Sequence, residues 1–194
     1  FALQVDVAVD EPSLALEQAA KIDITLDGAP VPSEVTGWYV DEAIQTVRLP
    51  RLEAGTHELV LSMGYGRKTC VEWCYLLGDF GVEVEGSRAR VTAPVRELAF
   101  GDWTCQGLPF YGGNVTYHCT VAGGGAPLTL RAAKFRAPLL TADLDGRRLG
   151  PLAFAPFELE LGDLAPGEHA LEITAYGSRV NTFGCVHNAD EGAF

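Results

Sequence analysis

The chain has 194 residues, a length between one large domain and two small ones. Its 26 acidic residues against 14 basic ones give a net charge of −12, which excludes a nucleic-acid partner and argues against docking on anionic membrane, since both recruit Lys and Arg. Apolar residues make up 47% of the chain, enough for a substantial core, and no apolar run approaches the roughly 20 residues of a membrane span.

Period-two alternation dominates from the first residues. Leu3, Val5, Val7 and Val9 fall on one face, with Gln4, Asp6 and Ala8 on the other. The chain opens at Phe1 inside this pattern and its sole methionine is Met63, so it reads as a piece of a longer protein. Leu14 to Lys21 is the one stretch with helical character, and its Leu14-x-Leu16 spacing reads equally well as strand. Ile22, Ile24 and Leu26 resume the alternation. Leu59 and Leu61, Val82 and Val84, then Leu171 and Ile173 continue it. Asp27-Gly28 and Asp145-Gly146 are hairpin turn signals between alternating runs. Many short strands with turns between them predict an all-β sandwich fold.

The two halves repeat one another. Leu14-Ala15-Leu16, Leu26-Asp27-Gly28, Gly55-Thr56-His57-Glu58-Leu59 and Tyr65-Gly66 come in that order in the first. Leu128-Thr129-Leu130, Leu144-Asp145-Gly146, Gly167-Glu168-His169-Ala170-Leu171 and Tyr176-Gly177 answer them in the second. The offset is 118 at the Asp-Gly turns (146 − 28) and 112 at the glycines before the histidines (167 − 55). A longer loop in the first half, holding Gly37-Trp38-Tyr39-Val40-Asp41, accounts for the drift. The reading is two tandem β-sandwiches, 1–100 and 101–194. The stretch from Arg67 to Gly113 joins them and is expected to supply strands to both and to pack them rigidly, because it lacks the Gly/Ser or Pro richness of a flexible linker.

Cys70, Cys74, Cys105, Cys119 and Cys185 are odd in number and cannot all pair within one chain. On a strand Cys70 and Cys74 would lie about 13 Å apart, beyond disulfide reach. Free thiols favour a reducing compartment, the cytoplasm. His118-Cys119 and Cys185-x-His187 put the two residue types close in sequence, but neighbouring strand residues face opposite ways, so no catalytic thiol is assigned. His57 and His169 fall in phase with the apolar residues that follow, at the rim of the core face. Each ring is expected to bond backbone groups of the adjacent loop. With no carboxylate or second His recurring at ligand spacing, no metal or catalytic role is assigned to them.

Three phrases carry a resemblance: Tyr75-Leu76-Leu77-Gly78-Asp79-Phe80-Gly81-Val82, Gly101-Asp102-Trp103-Thr104-Cys105-Gln106-Gly107-Leu108-Pro109-Phe110-Tyr111-Gly112-Gly113, and Asn181-Thr182-Phe183-Gly184-Cys185-Val186-His187. They resemble the C-terminal region of large bacterial glycoside hydrolases, similar to the galactose-binding-like jelly rolls of the family 2 type. The resemblance implies two packed jelly-roll sandwiches beside a separate catalytic barrel that holds the acids. Nothing in this chain resembles that barrel, so no catalytic residue carries over. The calcium common in galactose-binding-like folds has no recognisable acidic loop here. No metal or cofactor is expected.

Glycoside hydrolysis needs two carboxyl groups about 5 to 10 Å apart. Asp41, Glu42, Glu72, Asp79, Glu83 and Asp102 all lie near aromatics, and among 26 acids some fall close by accident. Their expected role is a solvated strand face or a turn, with Asp79 fixing a turn through backbone N–H groups. Sugar contact is the better functional candidate, since pyranose rings stack on flat aromatics while amides and carboxylates bond hydroxyls. The residues singled out are Trp38, Tyr39, Trp103, Tyr111 and Asn114, and the competing expectation is that the rings fill a seam between the sandwiches. The expected role is a non-catalytic accessory segment that supports the parent's own catalytic domain and contacts carbohydrate. The alternative is an independent carbohydrate-binding module.

Overall fold

The computed structural model describes residues 1–67, 69 and 72–183. Alternating runs become strands, and Gly, Pro and Asp punctuate them. In chain order the first are β1 (Ala2–Val5), β2 (Ser13–Glu17), β3 (Asp23–Leu26), β4 (Ala29–Val31), β5 (Val35–Tyr39), β6 (Asp41–Arg48) and β7 (Gly55–Ser62). Then come β8 (Tyr75–Leu77), β9 (Gly81–Glu85) and β10 (Arg88–Thr92). After a one-turn 3₁₀ helix at Trp103–Cys105 the chain forms β11 (Val115–Gly123), β12 (Pro127–Arg131), β13 (Leu140–Leu144), β14 (Arg147–Leu152), β15 (Glu158–Asp163) and β16 (Gly167–Ala175). A short helix, α1 (Arg179–Phe183), follows. The fold is all-β. No helix among the described residues is long and apolar enough to cross a membrane.

The ambiguous stretch at Leu14 to Lys21 is a strand followed by a 3₁₀ turn at Ala19–Lys21. Gln18 ends the strand with φ of 53°. The three residues Leu14, Ala15 and Leu16 are all buried, which is why their spacing carries no clean period.

The chain divides into two compact units, Phe1–Glu97 and Leu98–Phe194. In the first, a sheet of order β4-β3-β7-β1-β10-β9 accompanies one of order β5-β6-β2-β8. In the second, a sheet of order β11-β16-β13-β14 accompanies the pair β12-β15. The strand series β4-β3-β7-β1 and β14-β13-β16-β11 match partner for partner. Leu26 faces Leu59 as Leu144 faces Leu171, and Leu3 faces His57 as Val121 faces His169. The stretch after Arg67 departs from expectation. Its strands β8, β9 and β10 pair with β2, with β10 and with β1, all in the first unit, and none pairs with a described strand of the second. The β1–β10 pair is parallel, and a parallel partner comes from a distant segment with no hairpin turn to announce it.

Each unit has its own core. Val5, Leu14, Leu16, Ile24, Val47, Leu52 and Leu59 are at most 3% exposed in the first. Leu140, Ala142, Leu144, Leu152, Leu161 and Leu171 centre the second. Burying each such Leu or Val side chain contributes about 1.5–3 kcal/mol.

Candidate functional site

Both Asp-Gly turns are two-residue hairpin loops with positive φ at each position: 53° and 78° at Asp27-Gly28, 50° and 77° at Asp145-Gly146. Such a turn suits the twist of the strands it joins, and Asp tolerates the left-handed region while Gly has no side chain to clash. The turn aspartate then reaches the neighbouring strand. Asp27 Oδ1 accepts the Glu58 N–H at 2.8 Å, and Asp27 Oδ2 meets His57 Nδ1 at 2.7 Å. His57 Nε2 meets the Glu53 carbonyl at 2.8 Å. The second unit repeats this: Asp145 Oδ1 with the Ala170 N–H at 3.0 Å, Asp145 Oδ2 with His169 Nδ1 at 2.6 Å, and His169 Nε2 with the Ala165 carbonyl at 3.0 Å.

The electrostatics follow from these bonds. The Asp27 carboxylate, then the Glu53 carbonyl, hold His57 above its ordinary 6.5, and Asp145 with the Ala165 carbonyl do the same for His169. The imidazoles and the Glu58 and Ala170 amides hold Asp27 and Asp145 below 3.8. The expected bonds from each ring to the adjacent loop are present. The carboxylate partner was missed, although its signal lay in the repeat itself, where an Asp-Gly turn precedes each Gly-x-His in the same order. With both ring nitrogens engaged, neither histidine has a free nitrogen for proton transfer or for a metal.

Of the five residues proposed for sugar contact, the structure brings Trp38 and Tyr39 together on β5 and Tyr111 with Asn114 in the loop before β11. β5 is an edge strand, and Trp38 is 58% exposed opposite Gln45 of β6. A register shift after Val35 brings Val35 and Trp38 to the same side, because they face Val47 and Gln45, two residues apart. Val47 is fully buried, so Trp38 overhangs the rim of the first core. Tyr39 points the other way and packs on Tyr75 with ring centroids 5.8 Å apart.

Trp103 lies in the 3₁₀ turn that Asp102 caps by accepting the Thr104 N–H at 2.9 Å. The Thr104 hydroxyl and amide hold Asp102 below its ordinary 3.8. The Trp103 ring packs against the second core, with its Nε1 buried and unpartnered. The Tyr111 hydroxyl donates to the Asn114 carbonyl at 3.1 Å, and the Gly177 N–H donates to Asn114 Oδ1 at 3.1 Å. The first bond closes the loop on itself and the second pins it onto the segment after β16. Gly112, Gly113 and Gly177 allow the close approach: a Cβ on Gly177 would lie 2.0 Å from the Gly113 carbonyl oxygen.

Several of the acidic residues near aromatics have structural partners. Asp41 accepts the Ala43 N–H at 2.8 Å, and Glu83 pairs with Arg90. Asp79 pairs with Arg96 at 2.5 Å in place of the expected backbone turn. Among the described residues no group of three His, Cys, Asp or Glu side chains is placed to hold a metal ion. Cys70, Cys185, His187 and the end of the third quoted phrase, from Gly184 on, lie outside the described residues. Surface clefts of about 440 and 620 Å³ lie beside Phe135 and Tyr65, and none of the five candidates lines either.

The fold and its paired Asp–His clasps define a protein of two β-sandwich units built on one strand plan, antiparallel but for the β1–β10 pair. No family model and no curated protein matches the chain. Among solved structures it is similar to that of a rhamnosidase from Novosphingobium sp. PP1Y, at 17% identity with a TM-score of 0.35. The match takes in 98% of this chain and 19% of the rhamnosidase, so the chain spans a small part of that protein's length.

Proposed function

We propose that this chain is a non-catalytic accessory segment of a glycoside hydrolase, that it supports the parent's catalytic domain, and that its first unit contacts carbohydrate through Trp38. One observation carries the contact: a tryptophan ring 58% exposed on an edge strand, without a ring partner or side-chain hydrogen bond among the described residues, opposite Gln45. An exposed indole face takes the C–H face of a pyranose, and an amide beside it takes a hydroxyl. Tyr39, Trp103, Tyr111 and Asn114 are committed to packing or to loop bonds, so they stand behind Trp38 as candidates. The glycoside hydrolase context rests on the sequence resemblance.

Tryptophan fluorescence of the chain, titrated with a broad panel of mono- and oligosaccharides, tests the contact. Saturable binding of one sugar class is expected, with Trp38→Ala weakening it about tenfold or more. Absence of any response at millimolar sugar would overturn the contact. Aryl-glycoside turnover by the purified chain would overturn the non-catalytic assignment. The exposed indole also serves an independent carbohydrate-binding module. That reading requires the isolated chain to bind polysaccharide as tightly as the parent does.

A further inference from the structure

The two clasps hold a chemical constraint. A carboxylate and a backbone carbonyl can only accept hydrogen bonds. Each clasp histidine meets a carboxylate at Nδ1, at 2.7 and 2.6 Å, and a carbonyl at Nε2, at 2.8 and 3.0 Å. A neutral imidazole carries one N–H, so one of its nitrogens would set a lone pair against an acceptor. Only the doubly protonated ring satisfies both contacts, and the arrangement occurs twice, at positions 112 apart (169 − 57).

We propose that each unit is closed by a proton-held clasp, an imidazolium bridging the turn aspartate and a loop carbonyl, and that both hairpin tips loosen as pH rises above neutral. The clasp joins three separate segments: the β3–β4 or β13–β14 turn, the start of β7 or β16, and the loop before that strand. Their charged neighbours leave it intact. Around His57 stand Asp27, Glu58 and Glu53, the last paired with Arg51 at 2.7 Å, and across the strand lies apolar Leu3. Around His169 stand Asp145 and Glu168, with Arg147 opening β14, and across the strand lies apolar Val121. Among the described residues, the ion pair of each ring is with its own turn aspartate.

The sign follows from linkage. A histidine whose folded value is raised stabilises fully below its ordinary 6.5, and that contribution is lost as pH rises through the folded value. An aspartate whose folded value is lowered stabilises above 3.8 and loses the contribution as pH falls through its folded value. Both halves of the clasp are complete between those limits, so the chain is held best in weakly acidic solution.

The test uses ring-nitrogen and ring-proton NMR of histidine-labelled full-length chain, from about pH 4 to about pH 10. At neutral pH two histidines are expected to show both nitrogens protonated, and to titrate above 6.5. Asp27→Asn keeps an oxygen for the Glu58 N–H but sets an amide against Nδ1. It should return His57 alone to a neutral ring, and Asp145→Asn should do the same for His169. Urea midpoints of the wild type should fall with rising pH by one proton per clasp, and each variant should lose one of the two. Should a variant fail to fold, the wild-type nitrogen shifts decide alone. Neutral tautomers at both clasp histidines at pH 7, or Asn variants with unchanged titration, would overturn the proposal.

Discussion

Tyr39 and Tyr75 belong to the two outermost strands of one sheet, yet their ring centroids stand 5.8 Å apart with planes tilted by 51°. In the order β5-β6-β2-β8 the edges lie about 14 Å apart at normal strand spacing. The rings therefore lean inward across β6 and β2. The floor below is cut to fit: Ala15, in register with both Thr46 and Tyr75, has no exposed surface, and Gly37 pairs with Thr46.

This arch predicts that small residues beneath it resist enlargement. Ala15→Leu should lift the two rings apart and cost about 1–3 kcal/mol. Tyr39→Ala should remove one side of the arch and cost upward of about 1 kcal/mol. Urea unfolding followed by circular dichroism measures both, and unchanged midpoints would show that the rings cover nothing.

Glycines with the same name have different reasons to be there. Gly28 and Gly146 have positive φ and open space where a Cβ would go. Gly28→Ala or Gly146→Ala should cost about 1–2 kcal/mol of backbone strain alone. Gly177→Ala must push aside the Gly113 carbonyl. It should cost more than either and should loosen the loop that holds Tyr111 and Asn114. Thermal melts of the three variants rank them.

Equivalent core positions should behave alike. Leu59 and Leu171 face Leu26 and Leu144 at 2% and 6% exposure. Leu59→Ala and Leu171→Ala should each cost about 2–5 kcal/mol in stability, read from urea midpoints and slopes.

Thiol reactivity should separate the cysteines. Burial raises the Cys74 and Cys119 thiols above their ordinary 9.0, while Cys105 is exposed. A raised value means less thiolate at a given pH, so Cys105 should be alkylated before Cys119 and Cys74. Peptide mass spectrometry after brief iodoacetamide treatment at mildly alkaline pH gives the order. Cys74 modified as fast as Cys105 would contradict the burial.

The strand plan was legible because its signals are local. Alternation marks the faces, Asp-Gly marks the hairpins, and the offset of 118 recurs in register, where Leu3 and Val121 take the same partner histidine position. What escaped depends on residues far apart in sequence. Among the described residues the strands after Arg67 pair only within the first unit, β10 with β1 in parallel and β8 with β2 antiparallel, and no turn announces either pairing. Leu14-Ala15-Leu16 blurs its period because both faces are covered. The aspartate partner of each histidine lies 30 or 24 residues away, and only the pairing of β3 with β7, and of β13 with β16, brings them together. At the candidate site, exposure separated Trp38 from Tyr39 and Trp103, side-chain bonds separated it from the exposed Tyr111 and Asn114, and alternation alone supplied neither.

Strand β5, with β8, β9 and β10, is among the elements of the first unit that have no described counterpart in the second: β15 pairs with β12 alone, whereas β6 carries β5 on its far side. The molecule thus contains its own control. Whatever the first unit does that the second does not can be traced to these strands added on a shared frame. That frame, fixed by the clasps and the common register, leaves β5, at the edge of its sheet, free to diverge without disturbing the sandwich beneath it.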